Sequence, residues 1–196
     1  MRRAVVTNLI LAEVGFFAFL MVAVVITTAA FQRNHGLSFY GEHWNTAIPY
    51  GAGFMVCDYF LLNAAALLPR EPRELRPLAW GLRVLALLLL AVLLTPDTVN
   101  SFFNDSHLIA SAVLFAYEFA FAGLLAHRTG ATVVTIVFLL VESAAAVLAM
   151  LSNLHVVYYL SEGILIFQLV FSTHLVYGVT RWRRLLECSA ESASGD

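Results

Sequence analysis

Residues 108–126 read "LIASAVLFAYEFAFAGLLA". One charged residue, Glu118, stands near the middle of an otherwise apolar run. At about 1.5 Å per residue, a helix of this length crosses a hydrocarbon layer roughly 30 Å thick. Phe115, Tyr117, Phe119 and Phe121 are spread around the helix axis rather than gathered in one stripe. The segment therefore has no polar face to turn to water. It reads as a transmembrane helix with a carboxyl group half way across, and the rest of the chain repeats the pattern.

Six such segments follow one another, at roughly 7–31, 47–68, 77–95, 107–127, 131–151 and 155–180. Hydrophobic residues make up 61% of the chain and charged residues 12%. Soluble domains lie nearer 45–50% and 25%, so a water-soluble class is excluded. Pro49, Pro69, Pro72, Pro77 and Pro96 fall near segment ends, where a missing N–H costs least. The first segment exceeds the 7–15 apolar residues of a signal peptide and contains Glu13, so it reads as a retained span. The expected fold is all-α, a polytopic bundle of six transmembrane helices over residues 1–185. The small polar end, "ECSAESASGD", reads as a disordered tail over 186–196.

All eleven basic residues are arginine. Arg2 and Arg3 precede the first span. Arg70, Arg73 and Arg76 lie between the second and third, with Arg83 a turn inside. Arg128 separates the fourth from the fifth, and Arg181, Arg183 and Arg184 follow the sixth. With six spans these fall on one side, and only Arg33 falls on the other. The positive-inside rule then places both termini in the cytoplasm. Absence of lysine beside abundant Ala, Leu and Val suits a GC-rich bacterial genome, hence a bacterial plasma membrane. Cys57 and Cys188 lie in different settings with no CxxC spacing, which supports neither a disulfide nor a redox motif. Membrane lipids are the expected partners, nucleic acid is not, and self-association is left open.

Counting depth along the spans puts Asp58, Glu118 and Glu142 near the midplane, with Glu13 and His174 together on the cytoplasmic side. A charge at the bilayer centre costs at least about 2.5–3.5 kcal/mol, and no arginine accompanies these acids. They are expected to face the interior and to share one polar chamber. Three readings stay open. The acids hold helices together through hydrogen bonds, carry protons or cations, or act as acid catalysts. Aromatic rings around Glu118 fit a cavity for an acyl or isoprenoid chain, whose cations ring faces stabilise. His107 with His127, and His155 with His174, are each about 30 Å apart along a helix, which excludes a pairing as haem ligands.

A second group forms at the outer boundary. The first outer loop, "NHGLSFYGEHWNT" (34–46), carries Ser38, Glu42 and His43. Asp97 ends the third span, His107 opens the fourth, and His155 lies near the same plane. Ser38, His107 and Asp97 suit a nucleophile, base and orienting acid. His43, His107 and His155 with an acid suit a divalent metal such as zinc. No cofactor is firmly implied, and loop residues that simply face water remain the plain alternative.

The order "LSFYGE", an apolar span, "LLTPD" and "SHLIASAVLF" resembles a family of uncharacterised bacterial and archaeal six-span membrane proteins. Its pattern is Ser-x-x-Gly in the first outer loop, Pro then Asp after the third span, and His at the start of the fourth. Ser38, Gly41, Pro96, Asp97 and His107 match it, although Asp97 follows Pro96 without the one residue between. The layout is also similar to damage-regulated autophagy modulators and glycolipid-anchor remodelling proteins of eukaryotes. The likeness covers about residues 8–127. It implies the six-span fold and a grouping of Ser38, Asp97 and His107 by design.

The leading expectation is a membrane enzyme working by acid–base chemistry on a lipid or isoprenoid held in the bundle. It would act by hydrolysis or acyl transfer at the outer face, or by protonation-driven isomerisation or cyclisation from a buried acid. A proton- or cation-coupled transporter or channel is the alternative. A non-catalytic lipid-binding or partner subunit is the third.

Overall fold

A computed structural model describes residues 2–32, 35–70, 73–96, 101–130 and 132–194. Eight α-helices follow in order: α1 (Arg2–Ile26), α2 (Ala29–Gln32), α3 (Phe39–Glu42), α4 (Trp44–Leu67), α5 (Arg76–Leu94), α6 (Ser101–Thr129), α7 (Val133–Asn153) and α8 (Leu160–Ser194). Two short 3₁₀ turns, Leu68–Arg70 and Arg73–Leu75, join α4 to α5. No strand occurs among the described residues. Six helices, α1, α4, α5, α6, α7 and α8, are long and apolar enough to cross a membrane. The chain is thus a six-span all-α membrane protein. Its two ends share what we call the proximal face, and the α1–α4, α5–α6 and α7–α8 connections share the distal face.

Local chemistry sets the ends. Pro77 occupies the first turn of α5, where its fixed φ suits helix entry. Thr132 and Thr135 cap α7 reciprocally, each side chain bonding the other residue's backbone N–H. Gly130 leaves α6 at φ +73°, a conformation that suits glycine. Besides the end of α1, at Ile26 rather than 31, and the start of α4, at Trp44 rather than 47, which puts Pro49 inside that helix, three boundaries differ from the sequence reading in ways that bear on the site. First, α6 begins at Ser101, so His107 lies in its second turn rather than at its start. Second, α8 begins at Leu160, because residues 154–159 turn through a positive-φ His155. Third, α8 continues to Ser194, so 186–194 is helical instead of a disordered tail. Ala, Glu and Leu favour helix, and no proline or glycine interrupts the run before Gly195.

Packing follows a ring. Helix α1 lies along α4, α4 on α5, α5 on α6, α6 on α8, and α8 returns to α1. Helix α7 stands outside this ring, seated mainly on α8. Lipid is as apolar as leucine, so helices associate through close packing and polar contacts rather than through the hydrophobic effect. Small residues let them approach. A Cβ on Gly53 of α4 would sit 3.2 Å from the Phe19 Cβ of α1. One on Gly163 of α8 would sit 2.8 Å from the Ala149 backbone nitrogen of α7. Ala145 and Ala149 are buried at that crossing. On the proximal face Arg181 donates from Nε to the Thr129 carbonyl at 3.0 Å. The Arg128 guanidinium lies 5.4 Å from the Trp182 ring centroid. Together these clasp the end of α6 to α8.

Candidate functional site

Polar side chains gather in two places. The first is the membrane interior, organised around α8. Asp58, Glu118 and Glu142 are 7%, 1% and 0% exposed, so all three midplane acids turn away from lipid. Their partners come largely from α8. Gln168 Nε2 donates to Glu118 Oε2 at 2.8 Å, tying α8 to α6. Thr173 Oγ1 lies 3.0 Å from Glu13 Oε1, bringing α8 to α1, and shares its one hydroxyl hydrogen between that carboxyl and the Leu169 carbonyl at 2.8 Å. His174 Nδ1 lies 2.9 Å from Glu142 Oε1, tying α8 to α7, with both side chains fully buried. Phe138 stacks on the His174 ring at 5.1 Å between centroids. Three acids from three helices therefore dock on about two turns of one helix. Glu142 Oε2, His174 Nε2 and Asp58 Oδ1 are buried without a hydrogen-bond partner.

This corrects the sequence reading in two respects. The acids are not all unpaired, because Glu142 has a histidine partner. Nor do they share one chamber. A cavity of about 50 Å³ lies inside the ring and is lined by Glu118, Glu13 and Gln168, whereas Asp58 and Glu142 are not on its wall. Glu142 belongs to the seam between α7 and α8. Gln168 and Thr173 carry no role in the sequence reading, and His174, placed there beside Glu13, pairs with Glu142 instead. The signal was present: four polar residues, Gln168, Ser172, Thr173 and His174, interrupt an apolar span within seven positions.

The second place is the distal face. A cavity of about 70 Å³ is lined by Ser38, Gly41, Glu42, Tyr50, Pro96 and His107, with Ala47, Val92 and Leu93 as further wall. Its parts come from the first loop, the start of α4, the end of α5 and the second turn of α6. Ser38 and Glu42 stand four residues apart at the two ends of α3, so they fall on one face of that turn. His107 is 9% exposed, and its Nδ1 is buried with no hydrogen-bond partner. An unsatisfied buried polar atom of this kind costs about 1–3 kcal/mol. Of the five residues matching the six-span pattern, Ser38, Gly41, Pro96 and His107 meet on this one cavity. Asp97, the expected orienting acid, lies outside the described residues.

The first loop is held firmly. Thr46 Oγ1 donates to the Tyr40 carbonyl at 2.8 Å. The Ser161 hydroxyl at the start of α8 donates to the His35 carbonyl. Phe39 stacks with the His35 ring at 5.2 Å between centroids and meets the His43 ring, tilted by 31°, at 3.8 Å. Burial pushes the Tyr40 phenol above its ordinary range, so it stays neutral near pH 7.

The metal set is not assembled. Among the described residues no three His, Cys, Asp or Glu side chains stand close enough to hold an ion. His43 Nδ1 bonds the Phe39 carbonyl at 2.7 Å, His155 is exposed in the α7–α8 turn, and His107 is buried in the cavity. The common plane that the sequence suggests for these residues does not bring them to a common point. Comparison with protein-family models, curated proteins and solved structures finds no match to this chain.

Proposed function

We propose that this protein is an integral membrane enzyme that cleaves or transfers an acyl group of a membrane lipid at the distal cavity. The observation that carries the reading is the meeting of Ser38 and a buried, unpartnered His107 on one small cavity at the membrane boundary. In this reading His107 takes the proton of the Ser38 hydroxyl as Ser38 Oγ attacks the acyl carbonyl. The proton passes to the departing alcohol, and water or a second alcohol then takes the acyl group from Ser38. Glu42, on the same wall, is the carboxyl group that would orient the imidazole. Val92, Leu93 and Tyr50 offer apolar wall for the start of an acyl chain. The arginine distribution supports placing the distal face outside a bacterial plasma membrane, with both termini cytoplasmic.

A proton- or cation-coupled transporter is the second reading, and the three acids docked on α8 favour it. One experiment separates the two. Purified protein in nanodiscs is incubated with a membrane lipid extract, and released fatty acids or transacylated lipids are measured by mass spectrometry. Ser38→Ala and His107→Ala are expected to lose turnover by about 10²–10⁴-fold while reaching wild-type membrane levels. Wild-type turnover in both variants removes the chemistry from the distal cavity, and no turnover by the wild type alongside proton flux in liposomes replaces the enzyme reading with the transporter.

A further inference from the structure

Arg83 stands inside a span, about 10 Å along α5 from the proximal start of that helix at Arg76. A charge at that depth is costly against hydrocarbon, and the protein supplies no anion for it. Among the described residues Arg83 has no ion pair and no hydrogen bond. Its guanidinium carbon lies 5.2 Å from the ring centroid of Trp80, one turn nearer the proximal face. The side chain therefore runs back toward that face, as long basic side chains do near helix ends. Trp80 is 67% exposed, and Leu87 and Leu94, one and three turns beyond Arg83, are 64% and 63% exposed. Arg76, one turn before Trp80, is exposed as well. Positions 76, 80, 83, 87 and 94 follow one another at helical spacing and form one stripe. Leu78, Leu82, Leu85 and Leu89 are buried on the inner side of α5, so the stripe faces outward.

We propose that this stripe binds an anionic phospholipid of the proximal leaflet, with its phosphate between Arg76 and Arg83 and an acyl chain along Leu87 and Leu94. The stripe has the order of such a lipid: two cations and a tryptophan at headgroup level, then carbon toward the midplane. A guanidinium offers forked N–H donors that match two phosphate oxygens at once. Contact with the Trp80 ring holds the Arg83 fork in place while leaving its edge free to donate. Two arginines without a facing carboxyl attract net negative charge, so a lipid whose choline cancels its own phosphate satisfies them less well. A free phosphate offers the same oxygens but leaves Leu87 and Leu94 unused. The stripe starts at the face opposite Ser38 and His107, so this site stands apart from the distal chemistry.

The full chain is equilibrated in nanodiscs of equal phosphatidylglycerol and phosphatidylcholine and released into detergent. The lipid retained on each chain is then read by native mass spectrometry. Preferential retention of phosphatidylglycerol is expected, and added inorganic phosphate does not displace it. Arg83→Gln lowers the preference about five- to tenfold, and Trp80→Leu lowers it about two- to fivefold. Arg76→Gln also lowers it, and this variant keeps the test decisive should Arg83→Gln fail to fold. Arg184→Gln, at an exposed arginine of α8, and Ser38→Ala leave it unchanged. Equal retention of the two lipids, which is what a plain interfacial anchor gives, overturns the proposal. So does displacement by inorganic phosphate, indifference to both Arg83→Gln and Arg76→Gln, or an equal loss in Arg184→Gln. Because Ser38→Ala spares this binding, failure here and failure of the distal chemistry are read separately.

Discussion

The distal cavity and the α7–α8 seam each bury a histidine beside a carboxyl-bearing helix, and they do so in opposite ways. In the seam the two partners come from the middles of long helices and bond directly, Glu142 to His174 at 2.9 Å, with no cavity between them. In the distal cavity the groups come from a loop, a one-turn helix and two helix ends, and open space lies among them. A pair that fills its own space holds helices together. Groups that surround a space leave room for a substrate. This contrast is why we propose chemistry at the distal face and a structural role for the Glu142–His174 pair.

Stability measurements on variants at the two places sharpen or break the contrast. The largest effect is expected from His174→Ala, which leaves the Glu142 carboxyl buried and unpaired. A loss of about 3–5 kcal/mol is expected from thermal or denaturant unfolding in detergent. Replacing both partners, Glu142→Leu with His174→Leu, should recover most of that loss, since apolar isosteres of a buried pair are often neutral or better. If the double variant is as unstable as the single one, the pair does more than join α7 to α8. Next comes Gly163→Leu, whose side chain meets the α7 backbone around Ala149. Overpacking of this kind costs about 1–3 kcal/mol, and an unchanged melting temperature contradicts the close crossing. The smallest effect is expected from His107→Ala. It removes a buried atom that has no partner, so stability should change by less than about 1 kcal/mol. A loss as large as that of His174→Ala would make His107 structural too.

The fold was legible because membrane physics writes it in long strokes. A segment such as 108–126, apolar for the thickness of a bilayer, has few alternatives to a spanning helix. The inward turn of Asp58, Glu118 and Glu142 followed from the cost of facing lipid. Their partners did not. Which residue of α8 meets Glu142 depends on how deeply Gly163 lets α7 settle, a packing detail with no periodic signature. For the same reason the single shared chamber gave way to a cavity holding Glu118 and a separate seam holding Glu142. Depth along a span is countable from sequence, whereas rotation about its axis is set by neighbours. The distal group was readable as a plane of reactive residues. Only the folding of α3 and the start of α6 showed that Ser38, Glu42 and His107 line one hollow while His43 and His155 do not.

Covalent labelling tests the assignment most directly. The wild-type chain in nanodiscs is treated with a fluorophosphonate, and the modified peptide is mapped by mass spectrometry. An activated serine is expected to be labelled at Ser38, with labelling lost in His107→Ala and retained in Glu142→Gln. No labelling at Ser38, or labelling that is indifferent to His107, contradicts a nucleophile and base acting together at the distal face.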